Sequence, residues 1–341
     1  MPVEGAIPQL AGIEMFGNSI PAGTVGGDIF EYINFQQRYN IEKRIALALK
    51  LSETYLHPLP EGAQPGNEVD VHVRWLESRP SYSPAEGAAY RQAKSSEQLR
   101  IAEELQDLYT SAGVLLVDAQ GHGVIAAKIA STVHDVFHTA MLSELDHNGA
   151  TTPEMFERIN LRLARSVTAR NALGGSTEYN RELATMIYGE IHSDGLFRFV
   201  NFGHPPPLIF SAEFGRFVEA GPWRLAQFPP LGLEIPRDHP DQSRYSSIQL
   251  RKRYMKESDI SEITLMGQGD ILFLYTDGVY DGTDEQDRKE IEQIIQKHKQ
   301  DSPKIICNAI LDFAVKKDDE LRRLGEAERI DDKTVFIIKS A

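Results

Sequence analysis

Residues Val114 to Ala130 read VLLVDAQGHGVIAAKIA, and no other stretch restricts the fold so much. An apolar, partly β-branched run stops at an aspartate, a loop with two glycines follows, and small residues come next. That order predicts a buried strand, a tight turn and a closely packed helix, with the carboxylate of Asp118 at the end of the strand. Phosphate-binding folds also begin with a strand, a glycine loop and a helix, so a nucleotide site is the first reading to try. It fits poorly. The dinucleotide fingerprint needs a third glycine, whereas Val124, Ile125 and Ala126 follow Gly123 here, and no Lys-Ser or Lys-Thr pair succeeds the loop as in a Walker motif.

The rest of the chain mixes two periods. Residues 12 to 35 read as two strands around a turn marked by Pro21 and Gly26-Gly27. From Ile41 to Leu56 the spacing becomes helical, and Ile101, Leu105 and Leu108 repeat it. Between these stretches lie Pro58, Pro60, Pro65, Pro80 and Pro84 and an alternating piece, VDVHVRW, which together read as loop. Helices are predicted from about Val124 to Leu142 and from Pro153 to Val167, the second opened by Thr152 as cap and proline at the first helical position. The runs LATMIYGEI, LFRFVNFG, PPLIFS and YSSIQL then suggest an antiparallel meander. DILFLYTDG reads as a buried strand, two helical segments follow, and KTVFIIK is a final strand.

Composition removes several function classes. With 41% hydrophobic and 25% charged residues, the 341-residue chain can build a large globular core. A formal charge of −14 argues against a nucleic-acid surface, which needs a basic stripe to neutralise phosphates. Cys307 is the single cysteine, so neither an internal disulfide nor a cysteine zinc site is available, and a reducing compartment is expected. Residues Met1 to Phe16 lack the basic start and apolar core of a signal peptide. No run of about 18 apolar residues occurs, so a cytoplasmic protein with no membrane partner is the expectation.

Asp118 has company. Asp28 in VGGDIF, Asp277 in LYTDGVYD and Asp331 in RIDDKTVFII also stand at strand edges. Any one Asp-Gly after a strand is usually a turn. Four carboxylates brought together would instead repel, and hard oxygen-seeking cations such as Mg²⁺ or Mn²⁺ relieve such a cluster. Spacing alone leaves both readings open.

The segments PAGTVGGDIFEYI, VLLVDAQGHGVIAAKIA, LATMIYGEIHSDGLFRFVNFGHPPPLIF, GDILFLYTDGVYDG and DDKTVFIIK, in this order, resemble the metal-dependent (PPM, type 2C) serine/threonine protein phosphatases, in their bacterial SpoIIE-like branch. The resemblance covers most of the chain outside residues 36 to 110. It implies an α+β fold, a four-layer α-β-β-α sandwich of two antiparallel sheets flanked by helices, forming a single domain over 1–341 with a helical and loop insertion at about 36–110. It implies two Mn²⁺ or Mg²⁺ ions and a weaker third. Asp118 would bridge the ions as the central catalytic carboxylate, with the Ala119 carbonyl as a further ligand. Asp277 and Asp331 would hold one ion, Asp28 would act directly or through water, and Asp281 would serve the third. Glu31 is carried as a supporting residue, and Asp332 is expected to be exposed.

The activity so implied is hydrolysis of phosphoserine or phosphothreonine on a protein partner by a metal-bridged hydroxide, the partner being of the anti-sigma-antagonist type. Such chemistry needs no protein nucleophile. His122 is a candidate proton donor to the leaving oxygen, although Gln120 occupies the place where distant relatives carry histidine, and the Gly-His-Gly loop has a structural reading too. His204 in NFGHPPP is either a residue near the site or a turn histidine bonded to backbone. The insertion departs from the family pattern and has four readings: a sensor, a substrate dock, a homodimer surface or a packing addition. A non-catalytic phosphoprotein-binding pseudophosphatase and a small-molecule phosphatase are the rival functions.

Overall fold

The computed structural model describes residues 6–57, 71, 74–75, 77–79, 83–121, 123–172, 183–219, 225, 227–232, 260–265 and 267–341. His122, YSSIQL and most of VDVHVRW lie outside them.

Two five-stranded antiparallel sheets form the centre. One has the order β1 (Ile13–Ile20), β10 (Lys333–Ser340), β9 (Ile271–Tyr275), β6 (Leu208–Ser211), β7 (Arg216–Val218). The other has the order β2 (Asp28–Asn34), β3 (Ala112–Ala119), β4 (Ala184–Ile191), β5 (Leu196–Phe202), β8 (Ser261–Thr264). The sandwich expected from the sequence is therefore present, but the expected meander holds only for LATMIYGEI and LFRFVNFG, which pair as β4 and β5; PPLIFS crosses to the other sheet as β6, between β9 and β7.

Strand alternation explains why the strands read as continuous apolar runs, since both faces of each sheet are covered. Phe30, Tyr32, Val114, Leu116, Leu272, Leu274, Phe336 and Ile338 fill one core. These residues come from both sheets. Their neighbours of opposite parity, Phe273, Tyr275, Val335 and Ile337, join Ile291, Ile295, Ile306, Cys307 and Ile310 in a second core. The last five belong to helices α5 (Glu285–His298) and α6 (Pro303–Leu324), which thus cover the outside of the first sheet. Cys307 is buried there, and burial pushes its thiol up to about 12, which keeps it out of nucleophilic chemistry. On the second sheet, helices α3 (Gly123–His147) and α4 (Pro153–Ala172) supply Phe137 and Phe156, whose rings lie 5.1 and 5.6 Å from that of Tyr188.

By internal contacts the chain divides into two compact units. One comprises residues 1–34, 111–140 and 153–341, and the other 35–110 and 141–152. Within the second unit, helix α1 (Ile41–Leu56) packs along helix α2 (Pro84–Tyr109), with the hydroxyls of Ser52 and Ser95 2.8 Å apart at the seam. The apolar stripes of the two stretches thus cover each other. Helix α2 starts much earlier than its apolar spacing suggested. Pro84 opens it, as a residue without an N–H can at a first turn, so the proline that read as loop is a helix start.

Candidate active site

Three strand ends and one loop build the site. Asp28 begins β2 and stands directly opposite Asp118 near the end of β3. Asp277 follows β9, and Asp331 precedes β10, in the other sheet. Because β9 and β10 are neighbours, their ends carry these two aspartates to the same edge.

Hydrogen bonds hold the deepest of these carboxylates in place. Asp28, only 6% exposed, accepts bonds at Oδ2 from the hydroxyls of Thr276 and Thr334, each at 2.7 Å. Thr276 also accepts the Thr334 backbone N–H, so one threonine pair ties the second sheet's aspartate to the first sheet. Buried Lys333 donates to the Asp331 carbonyl at 2.7 Å and pairs with the Asp318 carboxylate at 2.8 Å, fixing the loop that carries Asp331.

Electrostatics show that the four carboxylates sense one another. Burial, then Asp28, Asp277, Asp331 and Asp332 in turn, push the Asp118 carboxyl up to about 9. Asp28 is pushed up to about 7, chiefly by burial, with Asp332 and Asp331 adding to it and the two threonine bonds opposing. Asp277 is raised by burial and by Asp331, although its side chain faces solvent at the rim. Carboxylates so arranged cannot all ionise without a cation, and cations restore the charged forms. Aspartate carboxylates are the kind of oxygen donor that Mg²⁺ and Mn²⁺ take. The residues fit such ions.

Asp281 sits differently. It is exposed, and its Oδ1 accepts from the Thr283 N–H and hydroxyl at 2.7 and 2.8 Å, which lowers its pKa. It reaches the cluster only as a charge felt by Asp277.

Asp332 corrects the expectation from sequence. It is 2% exposed, not surface, and its carboxylate accepts the Ala22 and Gly27 backbone N–H groups, clasping the loop between β1 and β2. Two glycines make that closeness possible. A Cβ on Gly26 would lie 2.9 Å from the Asp332 carboxyl carbon, and one on Gly27 would lie 2.7 Å from the Ala126 side chain.

Glu31 lies off the cluster, fully buried, with Oε2 2.7 Å from His138 Nε2 on α3. His204 is 1% exposed, with Nδ1 2.9 Å from the Thr185 hydroxyl, while the Asn201 side chain brackets its backbone through two 2.8 Å bonds. Its ring therefore pairs with the Thr185 hydroxyl, and the backbone of Tyr275 also lies against it. Thr185 is the strand partner of Asp118, so the histidine supports β4 beside the cluster.

The family model described as Stage II sporulation protein E matches residues 110–246 and 256–340. The chain belongs to the SpoIIE family. Asp118, Asp277 and Asp331 lie inside the SpoIIE match, and Asp28 lies before it. No curated protein matches the sequence. Among solved structures, the RsbU and RsbW domains of Rv1364c from Mycobacterium tuberculosis cover 98% of this chain and 61% of that one, with 16% identity and a TM-score of 0.51. This likeness shows the fold. The PP2C phosphatase domain with a regulatory fragment of SpoIIE from Bacillus subtilis is 13% identical, covers 97% of this chain and 64% of that one, and has a TM-score of 0.48. The SiaA PP2C domain of Pseudomonas aeruginosa is 12% identical over 95% and 85% of the two chains, with a TM-score of 0.48. The chain thus spans less than two thirds of the first two.

Proposed function

We propose that this chain removes phosphate from phosphoserine or phosphothreonine of a protein partner in a reaction dependent on Mn²⁺ or Mg²⁺. The observation that carries the reading is the cross-strand pairing of buried Asp28 with half-buried Asp118, two acids facing each other at the edge that also bears Asp277 and Asp331. Such repulsion costs stability in the metal-free chain, and a site for divalent cations accounts for it.

In this reading Asp118, the Ala119 carbonyl, Asp277, Asp331 and Asp28 would hold two ions, with Asp281 at the rim for a weaker third. When bound, such ions lower the pKa of water and neutralise phosphoryl oxygens. The chain's own part is positional. Thr276 and Thr334 fix the rotation of the Asp28 carboxylate. Lys333 holds the Asp331 backbone, and Asp332 holds the loop leading into Asp28. The residues from 36 to 110 are read as an insertion in one catalytic domain. The M. tuberculosis relative pairs an RsbU with an RsbW domain, which supports a phosphoprotein of a regulatory pathway, of the anti-sigma-antagonist type, as substrate.

The test is phosphate release from phosphoserine and phosphothreonine peptides by purified protein with Mn²⁺, with Mg²⁺ and with chelator, beside D118N. Release with metal and none with chelator or in D118N is expected. Turnover by metal-free protein would overturn the reading, and capture of the peptide without release would replace it with a pseudophosphatase.

A further inference from the structure

On the opposite face of the second sheet, beneath α3, a different set of donors converges. Asp28, Phe30 and Tyr32 point toward the first sheet, so Glu31, of opposite parity, points the other way. It is three residues, about 10 Å, along the strand from Asp28 and behind the sheet from it. Its carboxylate is fully buried. His134 and His138 lie one helical turn apart on α3, hence on one face. Their Nε2 atoms lie 3.1 and 2.7 Å from the same oxygen, Glu31 Oε2. The two rings are 4.4 Å apart between centroids.

We propose that Glu31, His134 and His138 form a Zn²⁺ site separate from the acidic cluster, with the fourth position completed by solvent. Three nitrogen and oxygen donors lie within 4.8 Å of one another. Tetrahedral zinc with bonds of about 2.0–2.1 Å needs donor separations of about 3.3 Å, so the cluster reaches that geometry by small side-chain rotations. Both histidine side chains are 13% exposed, which leaves an ion a path in. A second-sphere partner is at hand too. Asp135 Oδ1 lies 3.5 Å from His134 Nδ1, placed to take the proton of a ring that ligates through Nε2.

The donor chemistry separates this site from the first. Imidazoles favour zinc and its transition-metal neighbours, whereas the aspartate cluster favours Mg²⁺ and Mn²⁺. Bound zinc ties α3, which starts four residues after Ala119, to the strand that begins with Asp28. The role is that of a pin on the fold rather than a step in hydrolysis.

The experiment is a Co²⁺ titration of the chelator-stripped, full-length chain, read by visible d–d absorption, with zinc as competitor. One equivalent with a four-coordinate spectrum, displaced by zinc but not by excess Mg²⁺, is expected. D118N should keep the spectrum. H134Q and H138Q, each conservative on a partly exposed helix face, should weaken cobalt binding at least tenfold, and D135N less. Circular dichroism checks that each variant is folded. Absence of the spectrum in folded unmutated protein overturns the proposal. So does its survival in both histidine variants, or its loss in D118N, which would place the ion in the acidic cluster. Because the readout is cobalt coordination, failure here leaves the phosphatase reading untouched, and the reverse holds too.

Discussion

Asp28 and Asp118 are direct cross-strand neighbours, each beginning or ending the apolar run of its own strand. Like charges opposite one another in a ladder are destabilising, and burial makes the repulsion worse. Replacing Asp118 with Asn keeps the shape and removes a carboxyl that, held at about 9 by burial and its acidic neighbours, must take up a proton to fold near neutral pH. D118N should therefore raise the melting temperature in chelator and, at the same time, weaken Mn²⁺ binding and abolish phosphate release. Calorimetric titration with Mn²⁺ beside thermal unfolding in chelator checks both halves, and an unchanged Mn²⁺ isotherm would remove Asp118 from the ligand set.

Asp332 should behave as a fastener. D332A strands the Ala22 and Gly27 N–H groups, and the loss of two charge-assisted bonds costs about 2–4 kcal/mol. D332N retains one acceptor oxygen and should cost less. Urea unfolding in chelator measures this without any contribution from metal.

Much of this was legible before the fold was known, for a physical reason. Each of the four principal aspartates interrupts an apolar strand, and a polar residue there stands out. Asp332 did not, because DD before a strand does not say which carboxylate turns inward. A signal existed, however: Asp332 shares parity with Thr334, Phe336 and Ile338, which face the interior between the sheets. The His134 and His138 spacing was also visible, but its partner Glu31 is 103 residues away from His134, and only the packing of α3 on β2 joins them. The start of α2 was hidden because proline signals both loops and first turns.

His204 makes a prediction about acid. Burial holds its pKa down at about 3, with the Tyr275 backbone bond acting in the opposite direction. The folded chain thus carries the ring neutral while the unfolded chain titrates near 6.5. Its contribution is complete above about pH 6.5 and is lost as pH falls toward 3, at about 1.4 kcal/mol per unit. H204Q removes the titrating group and should flatten the pH dependence of stability in that window relative to the parent. Unfolding free energies at pH 7, 5.5 and 4.5 test this, and parallel curves for the two proteins would show that His204 is protonated in the fold.

Gly27 is where the acidic edge meets the helix behind it. Its N–H is held by Asp332, and it immediately precedes Asp28. A methyl group there would stand 2.7 Å from the Ala126 Cβ and 3.1 Å from the Ala119 carbonyl oxygen. Neither neighbour can give way cheaply, because one is on α3 and the other is backbone at the end of β3. Overpacking of this kind costs about 1–3 kcal/mol. The strain falls between Asp28 and the Asp118–Ala119 segment, so the functional loss should exceed the loss of stability. G27A is thus expected to remain folded at 25 °C, to bind Mn²⁺ at least tenfold more weakly, and to lose most phosphate release. G23A, at a loop position where an added Cβ meets nothing within 4 Å, is the control and should match the parent in all three measurements. If G27A binds Mn²⁺ as the parent does, the Ala119 carbonyl has no part in holding the ion.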